Sequence, residues 1–126
     1  MGFGKEIHLQ KGTYEGEYVD DEKHGAGKLI FQGSRFVGKF KNNKIEGYGI
    51  RYFTNGDVFK GDYKDSYKHG QGTLIYKNGT KFICHYIEGK REGYGEYHYS
   101  DEIIHKGNFK NDLKDGKWII KKKGHT

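Results

Sequence analysis

Seven histidines, a single cysteine and a series of Gly-x-Gly phrases are the residues of this chain best equipped for chemistry. Imidazoles in that number raise the question of a metal site. His24 and His69 each head a Gly-x-Gly phrase, but two periods of a repeat separate them. In a sheet that is roughly 20 Å, whereas zinc ligands sit about 2 Å from the ion. Glu46 and Glu92 alternate with them at the same repeat position. The row therefore reads as polar side chains that tie down hairpins, and no metal is expected. Cys84 and His85 are not a nucleophile–base pair, because adjacent strand residues point to opposite faces. Gly25-Ala26-Gly27 and its copies look like phosphate loops, yet no helix follows whose N-terminus would receive a phosphate. Neither a catalytic constellation nor a cofactor is expected.

The elements that carry these residues are set by a period. Tyr14-Glu15-Gly16-Glu17-Tyr18 returns as Phe36-Val37-Gly38-Lys39-Phe40 and as Phe59-Lys60-Gly61-Asp62-Tyr63. It returns again as Phe82-Ile83-Cys84-His85-Tyr86 and His105-Lys106-Gly107-Asn108-Phe109. A second phrase follows each copy: His24-Gly25-Ala26-Gly27, Glu46-Gly47-Tyr48-Gly49, His69-Gly70-Gln71-Gly72, Glu92-Gly93-Tyr94-Gly95 and Asp115-Gly116-Lys117-Trp118. A unit of 22 or 23 residues cannot bury its own apolar face, so successive units must stack into an array.

Composition fits this reading. Of the 126 residues 33% are hydrophobic and 32% charged, a balance that alone would point to disorder, but aromatics reach 16% and recur in register. Twenty-one glycines without a proline read as turns and close backbone contacts. One cysteine excludes an internal disulfide framework; Cys84 reads as a small side chain in a small slot. No apolar run is long enough for a transmembrane helix, and Met1-Gly2-Phe3-Gly4 does not open a signal peptide. A reducing, cytoplasmic location is expected. The net charge of +6 rests on lysine, with arginine only at Arg35, Arg51 and Arg91. That is a poor instrument for reading bases, so nucleic acid is not the expected partner.

Alternation within each phrase predicts strands. The polar segments 20–23 and 65–68 read as loops, and Asn55-Gly56 and Asn78-Gly79 as tight hairpin turns. The unit is strand, loop, strand, turn. The predicted fold is all-β: an elongated single-layer antiparallel sheet of consecutive hairpins, one array over residues 1–126. A half unit covers 2–13, and units follow at 14–35, 36–58, 59–81, 82–104 and 105–126. Starting in mid-unit would also fit a segment of a longer chain.

The phrase Tyr/Phe-x-Gly-x-Tyr/Phe, followed by His/Glu/Asp-Gly-x-Gly at this spacing, resembles the MORN repeat over roughly residues 2–118. Departures are Cys84 in place of glycine, Glu102 at a turn-glycine position, His105 and Trp118. The resemblance implies a groove-shaped hairpin solenoid without enzymatic activity, serving as scaffold or adaptor at membrane–cytoskeleton junctions and cortical structures. Its length resembles the stand-alone adaptor members. Some members seat a helical partner segment, including myosin tails, along the groove; others dimerise; phospholipid binding has been proposed.

Stacking the units places rings in rows. The expected partner-binding groove is lined by Tyr14, Tyr18, Phe31, Phe36, Phe40, Phe53, Phe59, Tyr63, Tyr76, Phe82, Tyr86, Tyr99 and Phe109. Such a trough would take an amphipathic helix of roughly 25 residues, and Phe59→Ala with Tyr63→Ala is expected to abolish capture. The alternative is an anionic lipid surface met by Lys39, Lys41, Lys60, Lys64, Lys121, Lys122 and Lys123. Apolar residues on the other face, including Ile30, Ile50 and Ile75, are candidates for a homodimer patch.

Overall fold

The computed structural model of the protein describes residues 2–8 and 12–123, with side chains in the first segment through Lys5. Met1, residues 9–11 and residues 124–126 lie outside the described residues, so the half unit 2–13 and the last unit 105–126 are seen in part. Eleven strands run in chain order: β1 (Gly2–His8), β2 (Gly12–Val19), β3 (Glu22–Phe31), β4 (Ser34–Lys41), β5 (Lys44–Tyr52), β6 (Val58–Lys64), β7 (Tyr67–Ile75), β8 (Lys81–Ile87), β9 (Lys90–His98), β10 (Ile103–Lys110) and β11 (Leu113–Lys122). They form one antiparallel sheet whose spatial order is the sequence order. Each strand pairs only with its neighbours in sequence, as the period requires.

A row of glycines crosses this sheet. Gly4, Gly16, Gly27, Gly38, Gly49, Gly61 and Gly72 stand opposite one another in successive strands, then Cys84, Gly95 and Gly107. The row leaves a shallow slot, and the aromatic rings lie across it. A Cβ added at Gly49 would stand 2.1 Å from Cζ of Phe36, and one at Gly72 would stand 2.4 Å from Cζ of Phe59. The other glycine of each Gly-x-Gly phrase has a different task. Gly25, Gly47, Gly70, Gly93 and Gly116 sit where a bulge shifts the hairpin register, with φ between 70° and 95°, a conformation glycine adopts without steric cost.

Rings laid in the slot meet edge to face. Tyr18, Tyr14, Phe40, Phe36, Tyr63, Phe59 and Tyr86 form a continuous zigzag, each contact 5.0–6.0 Å between centroids. Each such contact contributes about 0.5–1.5 kcal/mol beyond burial. Cys84 interrupts the slot, as a small buried side chain whose thiol donates to the carbonyl of His85 at 3.1 Å. The neighbouring Phe82 ring stacks on Tyr97 instead, at 4.3 Å and 28°. At the far end Trp118 covers Gly107.

The hairpin ends differ from expectation. The two-residue turns are Asp20-Asp21, Asn42-Asn43, Asp65-Ser66, Glu88-Gly89 and Asn111-Asp112, all with positive φ at both residues. That is the signature of type I′ turns. Asn55-Gly56 and Asn78-Gly79 lie instead in wider loops closed by Phe53 N–H to the Asp57 carbonyl and Tyr76 N–H to the Thr80 carbonyl. Only the glycine has positive φ there, as in a type I turn ending in a left-handed residue. In the first repeat that loop shrinks to Gln32-Gly33, which accounts for a period of 22 there against 23 elsewhere.

The turns from Asn42-Asn43 onward are stapled to the preceding repeat. Lys23 N–H donates to Asn43 Oδ1 at 2.8 Å, Ile45 N–H to Ser66 Oγ at 3.1 Å and Arg91 N–H to Asp112 Oδ1 at 3.1 Å. Glu46 accepts from Asp65 N–H and Glu92 from Asn111 N–H, both at 2.7 Å. The carboxylates of the His24/Glu46/His69/Glu92 row thus hold the next hairpin.

Candidate functional site

The two faces of the sheet differ in kind. One bears the rings. The strand carboxylates Glu15, Glu17, Glu22, Asp62, Glu96 and Asp115 fall one residue out of step with the rings in the strand pairing. Glu46 and Glu92 are flanked by residues paired with ring positions. All of these therefore project to the opposite face.

The ring-bearing face has an inner and an outer part. Tyr14, Phe36, Phe40, Phe59, Tyr63, Phe82, Tyr86 and Phe109 are only 0–7% exposed. The expectation that these eight rings stand open as groove lining is corrected: the glycine row lets them sink against the backbone and pack on one another. Phe59→Ala with Tyr63→Ala would remove core, and so would test folding. The outer part remains accessible. Phe31 is 38% and Tyr99 50% exposed, while Tyr18, Phe53 and Tyr76 are half-buried. Leu29, Leu74 and Tyr97, none singled out in the sequence, and Trp118 pack against the core from the same side and are half-buried.

Cations border this surface. Lys68 Nζ stands 4.3 Å from the Phe59 ring centroid and 5.4 Å from that of Tyr86. Arg91 lies 4.5 Å over Phe109, and Lys114 4.7 Å over Trp118. Lys23 lies 5.2 Å over Tyr14, and Ile45 completes the row in the second repeat. Positions 23, 45, 68, 91 and 114 follow the repeat period, and that spacing would have revealed the row. Arg91 is engaged by Asp112, Nε to Oδ1 at 2.7 Å, and this guanidinium holds the Asp112 carboxyl below the usual range.

Between the second and third hairpins lies a recess of about 300 Å³ lined by Arg51, Phe53, Tyr63, Ser66 and Lys68. Burial pushes the Lys68 ammonium pKa down, and the Arg51 charge adds to that effect. Tyr63 is raised by burial, a shift that Arg51 partly opposes. The Tyr63 hydroxyl proton has no acceptor, and Arg51 is the side chain beside its oxygen.

The predicted basic residues are elsewhere. Lys39, Lys41, Lys60 and Lys64 are exposed on the opposite face, and Lys121, Lys122 and Lys123 are exposed at the β11 end. The opposite face mixes charges: Glu96 accepts from Tyr94 Oη at 2.6 Å and binds His98 Nε2 at 2.6 Å. The first of these bonds pushes the Tyr94 phenol up to about 12. Ile30, Ile50 and Ile75 there are half-buried.

The MORN repeat model matches residues 14–33, 36–58, 59–81, 85–102 and 105–117. The chain belongs to the MORN-repeat family. The fourth match begins at His85, just past Cys84, and the fifth ends at Lys117, just short of Trp118. These are the two places where a larger side chain interrupts the glycine pattern. MORN repeats are scaffolds of a non-enzymatic type, generally involved in protein or membrane interactions.

Proposed function

We propose that this MORN array is a non-enzymatic adaptor that seats an extended or helical segment of a partner protein along its ring-bearing face. Its setting is a cytoplasmic assembly at the cytoskeleton or membrane cortex. The observation that carries this reading is the accessible outer rim: Phe31, Phe53, Tyr76 and Tyr99 flank half-buried Leu29, Leu74 and Tyr97, and cations of one repeat row border them. Geometry supports a helix in particular. One repeat is two strands, about 10 Å, and a helix rises that far in about seven residues. A helix crossing the strands therefore brings the same side to each repeat.

The test separates rim from core. Phe53→Ser with Tyr76→Ser, at residues that pack half-buried against the core, should lower the melting temperature yet keep the far-UV circular dichroism of a folded sheet at assay temperature, while capture of a partner from source-cell extract is lost. Tyr48→Ser with Tyr94→Ser, on the opposite face, should leave capture intact. A folded rim variant that still captures the partner would refute the reading.

A second reading is favoured by one rung of the opposite face. Lys41, Lys44, Lys64, Lys90 and Lys110 are exposed beside the turns, together with Tyr67, Ile87 and Leu113 at 45–72% exposure. Such a rung suits an anionic lipid surface, at about 1 kcal/mol per lysine. Binding to phosphatidylserine vesicles that disappears with Lys41→Glu and Lys64→Glu, or with added salt, would favour it.

A further inference from the structure

We propose that the recess between Arg51 and Lys68 is an anion site that receives a side-chain carboxylate of an acidic partner segment; the proposal rests on the ring-bearing face being the docking surface.

Three observations converge on this recess. First, two cations line it together, and neither makes an ion pair with a carboxylate among the described residues. The nearest acidic influence on Lys68 is Asp112, whose carboxylate is held by Arg91 through Nε at 2.7 Å. Arg91 adds a third positive charge on that side of Lys68. Like charges drawn into a partly desolvated site repel, and an arriving anion relieves both repulsion and desolvation.

Second, Tyr63 lines the same recess and is 7% exposed, and although Arg51 stands against its oxygen, its hydroxyl proton finds no acceptor. A buried hydroxyl proton without an acceptor is costly in the free protein. An acceptor oxygen in the recess would satisfy it. Together the Arg51 fork, the Lys68 ammonium and the Tyr63 hydroxyl proton form a set of donors with no carboxylate among them.

Third, the strand carboxylates described above lie on the other face, so among the described residues no strand carboxylate stands beside the recess to oppose an incoming acid. The ring of Phe53 also lines the recess and suits the methylene stem of an approaching Glu. The mixed face behind the sheet offers no comparable separation of sign.

The experiment uses the full chain and a displayed library of short unmodified peptides. Selection on the wild type should enrich Asp or Glu flanked by apolar residues. For an enriched peptide, replacing its acids by the matching amides should weaken binding about 10- to 100-fold. Arg51→Gln with Lys68→Met should weaken the acidic peptide to the level of its amide counterpart and leave the amide counterpart unchanged. Tyr63→Phe should produce a smaller loss, again for the acidic peptide alone.

Equal binding of acidic and amide peptides, both lost in the Phe53→Ser/Tyr76→Ser variant, would overturn the anion site and leave the docking face standing. Selected peptides indifferent to the rim variant would overturn the docking face and the site with it, as would a selection that enriches nothing. Vesicles of phosphatidylserine form the last arm. If Arg51→Gln with Lys68→Met abolishes vesicle binding and leaves acidic peptides unaffected, the recess serves a lipid headgroup and the proposal is wrong.

Discussion

Adding one methyl group at Gly72 should destabilise the sheet, although alanine is ordinarily the better residue in a strand. The new Cβ would stand 2.4 Å from Cζ and 2.7 Å from Cε1 of Phe59, and 3.1 Å from Cε1 of Tyr86. Ordinary carbon contacts need about 3.5 Å, so the Phe59 ring must retreat by roughly 1 Å. That ring is 0% exposed and meets Tyr63 at 6.0 Å and Tyr86 at 5.7 Å. Overpacking costs about 1–3 kcal/mol, and weakening two ring contacts adds up to about 1 kcal/mol. Removing glycine's backbone freedom in the unfolded chain returns about 0.4–1 kcal/mol. The net is a loss of about 2 kcal/mol. Urea unfolding followed by far-UV circular dichroism measures it, with Gly2→Ala as a control because nothing lies within 4 Å of its added Cβ. In a Phe59→Leu background, which lacks the offending ring atoms, the same methyl should cost less than about 0.5 kcal/mol. A neutral Gly72→Ala, or an equal cost in both backgrounds, would refute the ring-over-glycine explanation of the repeat.

Other expectations concern single groups. Tyr63→Phe should raise the stability of the free protein by up to about 1 kcal/mol, because it deletes a buried hydroxyl whose proton finds no acceptor; a lowered urea midpoint would show that its contact with Arg51 satisfies it. Glu88→Asn should stabilise by about 0.5–1 kcal/mol, since Glu88 has φ of 48° before Gly89 at 83° and Asn-Gly suits that turn better. An unchanged midpoint would count against this reading of the turn. Asp112 is held below the ordinary carboxylate range, first by the Arg91 hydrogen bond. Its contribution is therefore fully present above the unfolded carboxylate pKa, near 4, and is lost as pH falls through the folded value. Asp112→Asn should flatten the acid limb of a stability–pH curve, and an unaltered limb would contradict the staple.

Much of the fold was readable from the period, since strands that bury nothing alone must stack in order. Gly-x-Gly phrases could be located but not divided by role. Gly70 serves a bulge with φ of 88°, while Gly72 makes room for a ring; only the pairing across strands separates these. Turn chemistry misled because Asn55-Gly56 is a strong hairpin signal, whereas Asp65-Ser66 adopts positive φ without any glycine. The count of 22 against 23 residues already marked which loop varies in length. Ring burial was hidden for the same physical reason as the glycine roles. Phe59 and Tyr76 are alike as residues, yet Phe59 faces Gly61 and Gly72 and sinks, while Tyr76 stands at the strand end beside a loop. The recess escaped notice because Arg51 and Lys68 belong to different repeats and meet only when β5 and β7 flank β6.

The most direct test of docking on the ring-bearing side is a spin-labelled acidic peptide, from the selection above, bound to the methyl-labelled full chain. Paramagnetic broadening should strike the methyl groups of Leu29 and Leu74 and spare those of Val37, Ile50 and Ile83 behind the sheet. Broadening of the second set with the leucines untouched would place the partner on the wrong side and contradict the proposed function.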